Sequence, residues 1–472
     1  MSSSHESSAS QIRAGLNHPV IDSDGHLIEF QPAAMTYLAE IAGAGAVERY
    51  RAWQMQLAPT EQQRMDEQLM RTPFWNFPTR NTLDRATVSL PALLRSRMEE
   101  LGFDFMVLYP TMGLIANEVG DDEVRGAACR AFNTYNSELC AEFSDRMTPA
   151  AVIPMHTPTE AIAELEHAVL NLDLRAVMIA SHVVRPIPAV AAQDPALARY
   201  ATWLDTYGLD SVWDYDPFWQ RCEELNVSLA THGSGMGWGS RRSTSNYMYN
   251  QIGHFAAAGD ALCKSLFMGG VTHRFPKLRF AFLEGGVAWA CSLLCDQLSH
   301  WEKRNAEQLH NYDPASLDTE LLDKLLREHA GERDWSTRRA GWVLRGAGSQ
   351  PCDDWAAAGI TCREDLIERF VPRFFFGCEA DDPMTNVAFN ARVNPEGVRL
   401  AAMLGSDIGH WDVPDMAEVL PEALESVDRG WLTDRDFRDF VFANPVRFYT
   451  DTNPGFFHGT CIEGEVAGLL DT

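Results

Sequence analysis

The chain has 472 residues, with 39 Lys and Arg against 66 Asp and Glu, a formal charge of −27. Affinity for phosphate backbones and anionic membranes comes from clustered cations. Lysine appears only at 264, 277, 303 and 324 and no basic run exists, which disfavours a nucleic-acid binder or a membrane-surface protein.

Apolar residues at 46% and aromatics at 10% can fill a large core, and no uncharged apolar run approaches the roughly 18 residues of a membrane span. The start, Met1-Ser-Ser-Ser-His-Glu-Ser-Ser, has no basic segment leading into an apolar stretch. The expectation is a cytoplasmic globular protein with a flexible tail over residues 1–18. The ten cysteines are scattered without a Cys-x-x-Cys pair, so neither a zinc knuckle nor a disulfide framework fits.

Short apolar runs, rich in β-branched and aromatic residues and separated by helical patterns, recur along the chain. They are the stretch ending at Asp22-Ser-Asp24, then 103–109, 147–154, 175–180, 227–232, 278–284, 373–377 and 400–407. Between them, 121–143 reads as a long amphipathic helix. Thr157-Pro158 and Asp216-Pro217 open further helices with proline in the first turn. About eight β/α units favour an α/β fold closed as a (β/α)8 TIM barrel, which can occupy a chain of this length as one domain. The expected domain spans 19–460, with insertions over the carboxyl face at about 31–100, 183–219 and 303–370 and a C-terminal tail over 461–472. The insertion at 183–219, rich in Pro, Trp, Tyr and Asp, either shapes a substrate pocket or is a packing loop.

Active sites in such barrels lie at the carboxyl ends of strands, so polar residues that interrupt those ends are the first candidates. The first strand runs Val20-Ile-Asp-Ser-Asp24-Gly-His26, and alternation turns Asp22, Asp24 and His26 toward one face. A carboxylate and an imidazole at this spacing suit a divalent metal such as zinc, iron or manganese. The fifth strand delivers His232 into a glycine-rich turn. The sixth ends in Glu284-Gly-Gly286, giving a further ligand or a proton carrier. The eighth ends Gly405-Ser-Asp407-Ile-Gly-His410, and a carboxylate buried there is costly unless it meets a cation or hydrogen-bond donors. His254 can reach the site from the helix after the fifth strand, while His156, His182 and His273 rank below it. The bland alternative for each histidine is a core residue satisfied by a neighbour.

Competing signatures are missing. The stretch Thr231-His232-Gly233-Ser234-Gly235 lacks the first glycine of a serine-hydrolase elbow, and no dinucleotide or phosphate-loop spacing occurs.

Asp24-Gly-His26, His232, the phrase from Gly269 to Gly286 and Gly405-Ser-Asp407-Ile-Gly-His410 together resemble the metal-dependent amidohydrolase superfamily. The likeness is to the amidohydrolase-2 branch, which holds aminocarboxymuconate semialdehyde decarboxylase, resorcylate-type decarboxylases and meta-cleavage-product hydrolases. The resemblance implies one divalent metal ion, zinc first with iron or manganese as alternatives, held by Asp24, His26, His232 and Asp407. Many members have His-x-His where this chain has Asp24-x-His26, and some have a histidine where it has Glu284. No lysine precedes Lys264, so the fourth strand, Arg175 to Ala180, lacks the bridging lysine of binuclear relatives.

The mechanism implied is hydrolysis by a metal-activated water that Asp407 orients or deprotonates, with Glu284 or His254 passing the proton onward. Arg241 and Arg242, with Trp238 in the same turn, are the candidates for gripping a substrate, guanidinium being suited to a carboxylate. The expected enzyme is therefore a metal-dependent hydrolase cleaving a carbon-nitrogen or carbon-carbon bond of a small carboxylated or ring-derived molecule. A nonoxidative decarboxylase using the same site is the alternative, and a non-catalytic ligand-binding barrel a third reading. The expected partner is a small-molecule substrate, and a homo-oligomer follows only from family habit.

Overall fold

The computed structural model describes residues 7–233, 241–329, 331 and 353–471. The described residues form ten strands: β1 (Ile21–Leu27), β2 (Phe105–Pro110), β3 (Met147–Ile153), β4 (Ala176–Ala180), β5 (Val183–Pro186), β6 (Thr202–Asp205), β7 (Leu229–His232), β8 (Phe280–Phe282), β9 (Phe374–Glu379) and β10 (Ala401–Gly405). Eight of them form one sheet in the order β1-β2-β3-β4-β7-β8-β9-β10, every ladder parallel. With helices between the strands, this is a (β/α)8 barrel, as the sequence pattern led one to expect. All eight expected strands form, and β9 runs two residues past its expected end, to Glu379.

Local chemistry sets the helices that cross between strands. Asp121 caps the helix Asp122–Cys140 by accepting from the Val124 N–H at 3.1 Å, and two acidic residues follow in the first turn. Thr157 does the same for Pro158–Glu166, accepting from the Glu160 N–H at 3.2 Å. Between sheet and helices lies a dense aromatic layer in which Phe280, Phe282, Phe374 and Phe376 meet Trp219, Trp289 and Phe370. Each such ring, once buried, contributes roughly 1.5–3 kcal/mol.

Two expectations are corrected. Residues 1–18 are not simply a tail, because Ser7 caps a helix, Ser8–Gly15, whose Ala9 is fully buried against Gly102. Residues 461–472 likewise carry a helix, Glu463–Leu470, which buries Val466 and Leu469. The insertion at 183–219 contains an antiparallel hairpin, β5 paired with β6, that the sequence reading left as loop. Insertion 31–100 is helical, with Gln31–Gln56 and Pro91–Leu101 its longest helices.

The barrel closes irregularly, and the irregularity lies beside the chemistry. Between Asp22 and Gly25 the register of β1 against β2 slips, one extra residue bulging on β1. The bulge takes Asp22 off the face it was expected to share with Asp24 and His26. Its carboxylate instead accepts from the Ser406 N–H (2.9 Å), the Ser406 hydroxyl (2.5 Å) and the Asp24 N–H (3.1 Å). The Asp407 N–H adds a bond to the Asp24 carbonyl at 2.9 Å, so first and last strands are tied exactly where both present carboxylates to the barrel mouth.

Candidate metal centre

Side chains from two strands, β1 and β7, and from the turns after β8 and β10 meet at the carboxyl end of the barrel. His26 from β1 and His232 from β7 face each other with their Nε2 atoms 3.4 Å apart. Each ring is oriented from its other nitrogen. His232 Nδ1 donates to the Gly233 carbonyl at 3.1 Å, and His26 Nδ1 lies 3.3 Å from the Thr111 hydroxyl. Such outer contacts turn the Nε2 lone pairs inward, the arrangement metal-ligating histidines need.

Glu284, just past β8, places Oε1 3.0 Å from His232 Nε2 and 3.3 Å from His26 Nε2. Asp24 Oδ1 is 3.6 Å and Asp407 Oδ1 3.3 Å from the same His26 nitrogen. Glu284 and Asp407 both adopt left-handed backbone, with φ of 55° and 48°. For residues other than glycine this conformation is costly, and it persists at positions the surroundings over-determine.

Asp24, His26, His232 and Glu284 offer ligand atoms all within 4.8 Å of one another, and so do His26, Glu284, Asp407 and His410. The four expected ligands thus fall in two overlapping groups joined by His26 and Glu284. His410 is the addition: its ring lies 4.1 Å from that of His26, and its Nδ1 is 2.5 Å from Asp407 Oδ1.

The electrostatics call for a cation. Asp24 Oδ1, Glu284 Oε1 and Asp407 Oδ1 are buried, and imidazole nitrogens stand against the last two, His232 Nε2 3.0 Å from Glu284 Oε1 and His410 Nδ1 2.5 Å from Asp407 Oδ1. Burial raises the Asp24 carboxyl well above its ordinary range, and burial with Glu284 beside it does the same to Asp407. Burial would raise Glu284 too, but the His232 charge and contacts with His232 and His26 hold it well below that range. Against its own burial, His232 is pushed up to about 9 by Glu284. Three buried carboxylates around two or three imidazoles are a donor set that fits one divalent ion.

Beside this cluster lies a cavity of about 490 Å³. His156 after β3, His182 after β4 and His254 at the start of the helix His254–Met268 line it, with Asn117 and Arg242. The first insertion supplies Gln56, Leu57 and Met70, and the β5–β6 hairpin supplies Val183 and Leu204. Burial lowers all three histidines, His156 to about 3 and His182 and His254 to about 4, so they are neutral near pH 7. His254 therefore stands next to the cluster rather than within it. Arg242 borders the cavity, Arg241 is exposed and does not line it, and Trp238 lies outside the described residues.

Sequence reasoning missed several of these residues. His410 was read as part of a motif but given no role, although its spacing of three from Asp407 was a usable signal. Glu379 ends β9 as Glu284 follows β8, and with Asp407 and Asp412 it forms a third group of close carboxylates. The expected strand stopped at Gly377, so its final carboxylate went unnoticed.

A model of the amidohydrolase family matches residues 21–333. Among solved structures, an amidohydrolase from Mycobacterium avium subsp. paratuberculosis K-10 is 16% identical, with 92% of this chain and all of that one covered and a TM-score of 0.51, a likeness of fold. A dihydroxybenzoic acid decarboxylase from Polaromonas sp. JS666, solved with manganese and 2-nitroresorcinol, is 13% identical over 92% of this chain and 97% of its own (TM-score 0.48). A 4-oxalomesaconate hydratase from Rhodopseudomonas palustris is 15% identical over 96% of this chain and 100% of its own (TM-score 0.47).

Proposed function

The chain belongs to the amidohydrolase family, and from that premise we propose a mononuclear metal-dependent hydrolase that cleaves a carbon-nitrogen or carbon-carbon bond in a small carboxylated or ring-derived substrate. The observation that carries this reading is the convergence of His26, His232, Asp24, Glu284 and Asp407, ligand atoms within 4.8 Å of one another in two overlapping groups, with the carboxylate oxygens buried. Asp24, His26, His232 and Asp407 are the proposed ligands, with Glu284 close enough to be a fifth. Zinc is the first choice of ion, iron and manganese the alternatives. When bound there, a divalent ion supplies Lewis-acid polarisation and lowers the pKa of water from about 15.7 toward 7.

The chain's own groups supply the proton handling. Asp407 Oδ1, which faces His410 Nδ1 at 2.5 Å, is the assigned base that takes a proton from an attacking water. Glu284 Oε1, between the two imidazoles, can carry that proton toward the cavity. His254 meets it there: neutral at working pH, it can present one nitrogen as donor to the departing atom. Arg242, at the cavity edge, is placed to pair with a substrate carboxylate.

A nonoxidative decarboxylase is the second reading, since one substrate-polarising site and one proton carrier serve both reactions. Metal content by mass spectrometry tests the common premise: about one divalent ion per chain is expected in the native protein and none in His232→Ala after identical dialysis. An ion-free native protein that also refuses zinc, manganese and iron would overturn it. Incorporation of oxygen-18 from labelled water into product, against release of carbon dioxide, then separates the two reactions.

A further inference from the structure

The metal centre accounts for the reacting end of a substrate, but not for the cavity beside it. At about 490 Å³ the cavity lies within the roughly 300–1,000 Å³ of pockets that enclose drug-sized molecules, and a single-ring acid would leave most of it to water. Its walls are mainly aliphatic, from Leu57, Met70, Val183 and Leu204.

Set into these walls are buried polar atoms without partners among the described residues. Asn117 is 4% exposed and its Nδ2 donates to nothing, while its Oδ1 takes the Cys129 thiol at 3.5 Å, which fixes the amide with the donor free. His254 is 3% exposed and neither ring nitrogen has a partner. His156 Nδ1 is also unpaired. Buried donors in an apolar wall are costly unless something accepts from them.

The wall is also held in shape. Arg185 of the hairpin is paired with Asp205 and donates to the His156 carbonyl and the Tyr215 hydroxyl, both at 3.0 Å, pinning β5 and β6 to the end of β3.

We propose that this cavity is a recognition pocket for the far half of an extended substrate: an apolar body about two rings long, carrying a hydroxyl or carbonyl oxygen remote from the metal centre. Asn117 Nδ2 donates to that oxygen, and the aliphatic wall covers the body. The inference rests on the hydrolase reading for the reacting end only.

The test is calorimetric titration of manganese-loaded protein with benzoate, biphenyl-4-carboxylate and 4′-hydroxybiphenyl-4-carboxylate. Burial of the second ring is expected to tighten binding about tenfold or more over benzoate, and the remote hydroxyl to add several-fold. Asn117→Ala should erase the hydroxyl increment and keep the ring increment. Leu204→Trp, which fills the pocket from the hairpin, should bring biphenyl-4-carboxylate back to the benzoate value, with thermal melting as the check that each variant folds.

A two-ring probe no tighter than benzoate would overturn the proposal, as would a hydroxyl increment that survives Asn117→Ala. The same titration on metal-free protein separates the two claims. A ring preference in protein that binds no ion leaves the pocket standing and removes the metal-dependent reading, whereas an ion without the preference removes the pocket alone.

Discussion

Asp22 offers the sharpest test of how the site is built, because it touches nothing that reacts and yet holds both strand ends that present the carboxylates. It is fully buried and accepts three bonds, two from backbone N–H groups and one from the Ser406 hydroxyl. Asp22→Ala leaves those two amides without an acceptor, at about 1–3 kcal/mol each, and the hydroxyl can turn away at less cost. The expected loss is therefore about 3–5 kcal/mol, a large share of the roughly 5–15 kcal/mol that stabilises an ordinary domain. Asp22→Asn keeps an acceptor for the amides and asks only the hydroxyl to reverse its role, so about 1 kcal/mol is expected. Urea denaturation of chelator-treated proteins gives both numbers, and metal titration of the same samples shows whether ion affinity falls with them. If Asp22→Ala lost less than 1 kcal/mol, the barrel would not depend on this latch, and the closure described here would be wrong.

Three further perturbations probe other parts. Gly269→Ala would put a methyl 1.8 Å from the Gly208 carbonyl oxygen, a clash with backbone that no rotamer relieves; insoluble protein or a loss above about 3 kcal/mol is expected, and a soluble variant with unchanged melting refutes it. Glu164 is raised to about 7 by burial, despite its bonds to Asn133 and Arg130, so the folded chain holds its proton more tightly than the unfolded chain. That contribution is present below about pH 4.5 and is lost as pH rises through 7, to a total of about 3 kcal/mol. Glu164→Gln should therefore gain on the native protein between pH 5 and 7.5 in denaturant titrations, and a constant difference between the two would contradict the assignment. Asp407→Asn should keep the fold while removing most activity once a substrate is in hand; an unchanged kcat would end its assigned role.

The barrel was legible because the strands are short apolar runs, several of them ending at a polar residue, a pattern fixed by burial on both faces. What the sequence could not show was phase. Strict alternation groups Asp22 with Asp24 and His26, but one bulged residue on β1 turns Asp22 to the closing seam, and nothing in Val20-Ile-Asp-Ser-Asp-Gly-His marks the bulge. The glycine at 25 was its nearest trace, since a methyl there would sit 2.5 Å from the Asp22 carboxylate. The cavity was hidden for another reason: Asn117 and His156 come from two connections, His182 and Leu204 from distant points of a third, and they share no spacing. Only the three-dimensional path of the β5–β6 hairpin brings them to one wall.

Charge, finally, decides from which side a carboxylated molecule can reach the ion. On the β9–β10 side, Glu379 lies among Asp412, Glu284, Asp381 and Asp382, and burial with their repulsion raises it to about 8. None of Glu379, Asp381, Asp382 and Asp412 forms an ion pair with another described residue, so above about pH 8, where Glu379 gives up its proton, that wall repels an anion at close range. On the β2–β4 side the cavity carries three neutral histidines, the Asn117 amide and the Arg242 guanidinium, with Glu118 its one carboxylate. An anionic substrate therefore meets its least opposed path through the cavity, its carboxylate passing Arg242 before the cluster. The same division predicts that Glu379→Gln, compared with the native protein above about pH 8 where Glu379 is charged, changes ion affinity more than it changes the binding of a long apolar acid. Equal effects of that variant on both titrations would mean that the two sides of the mouth do not act separately.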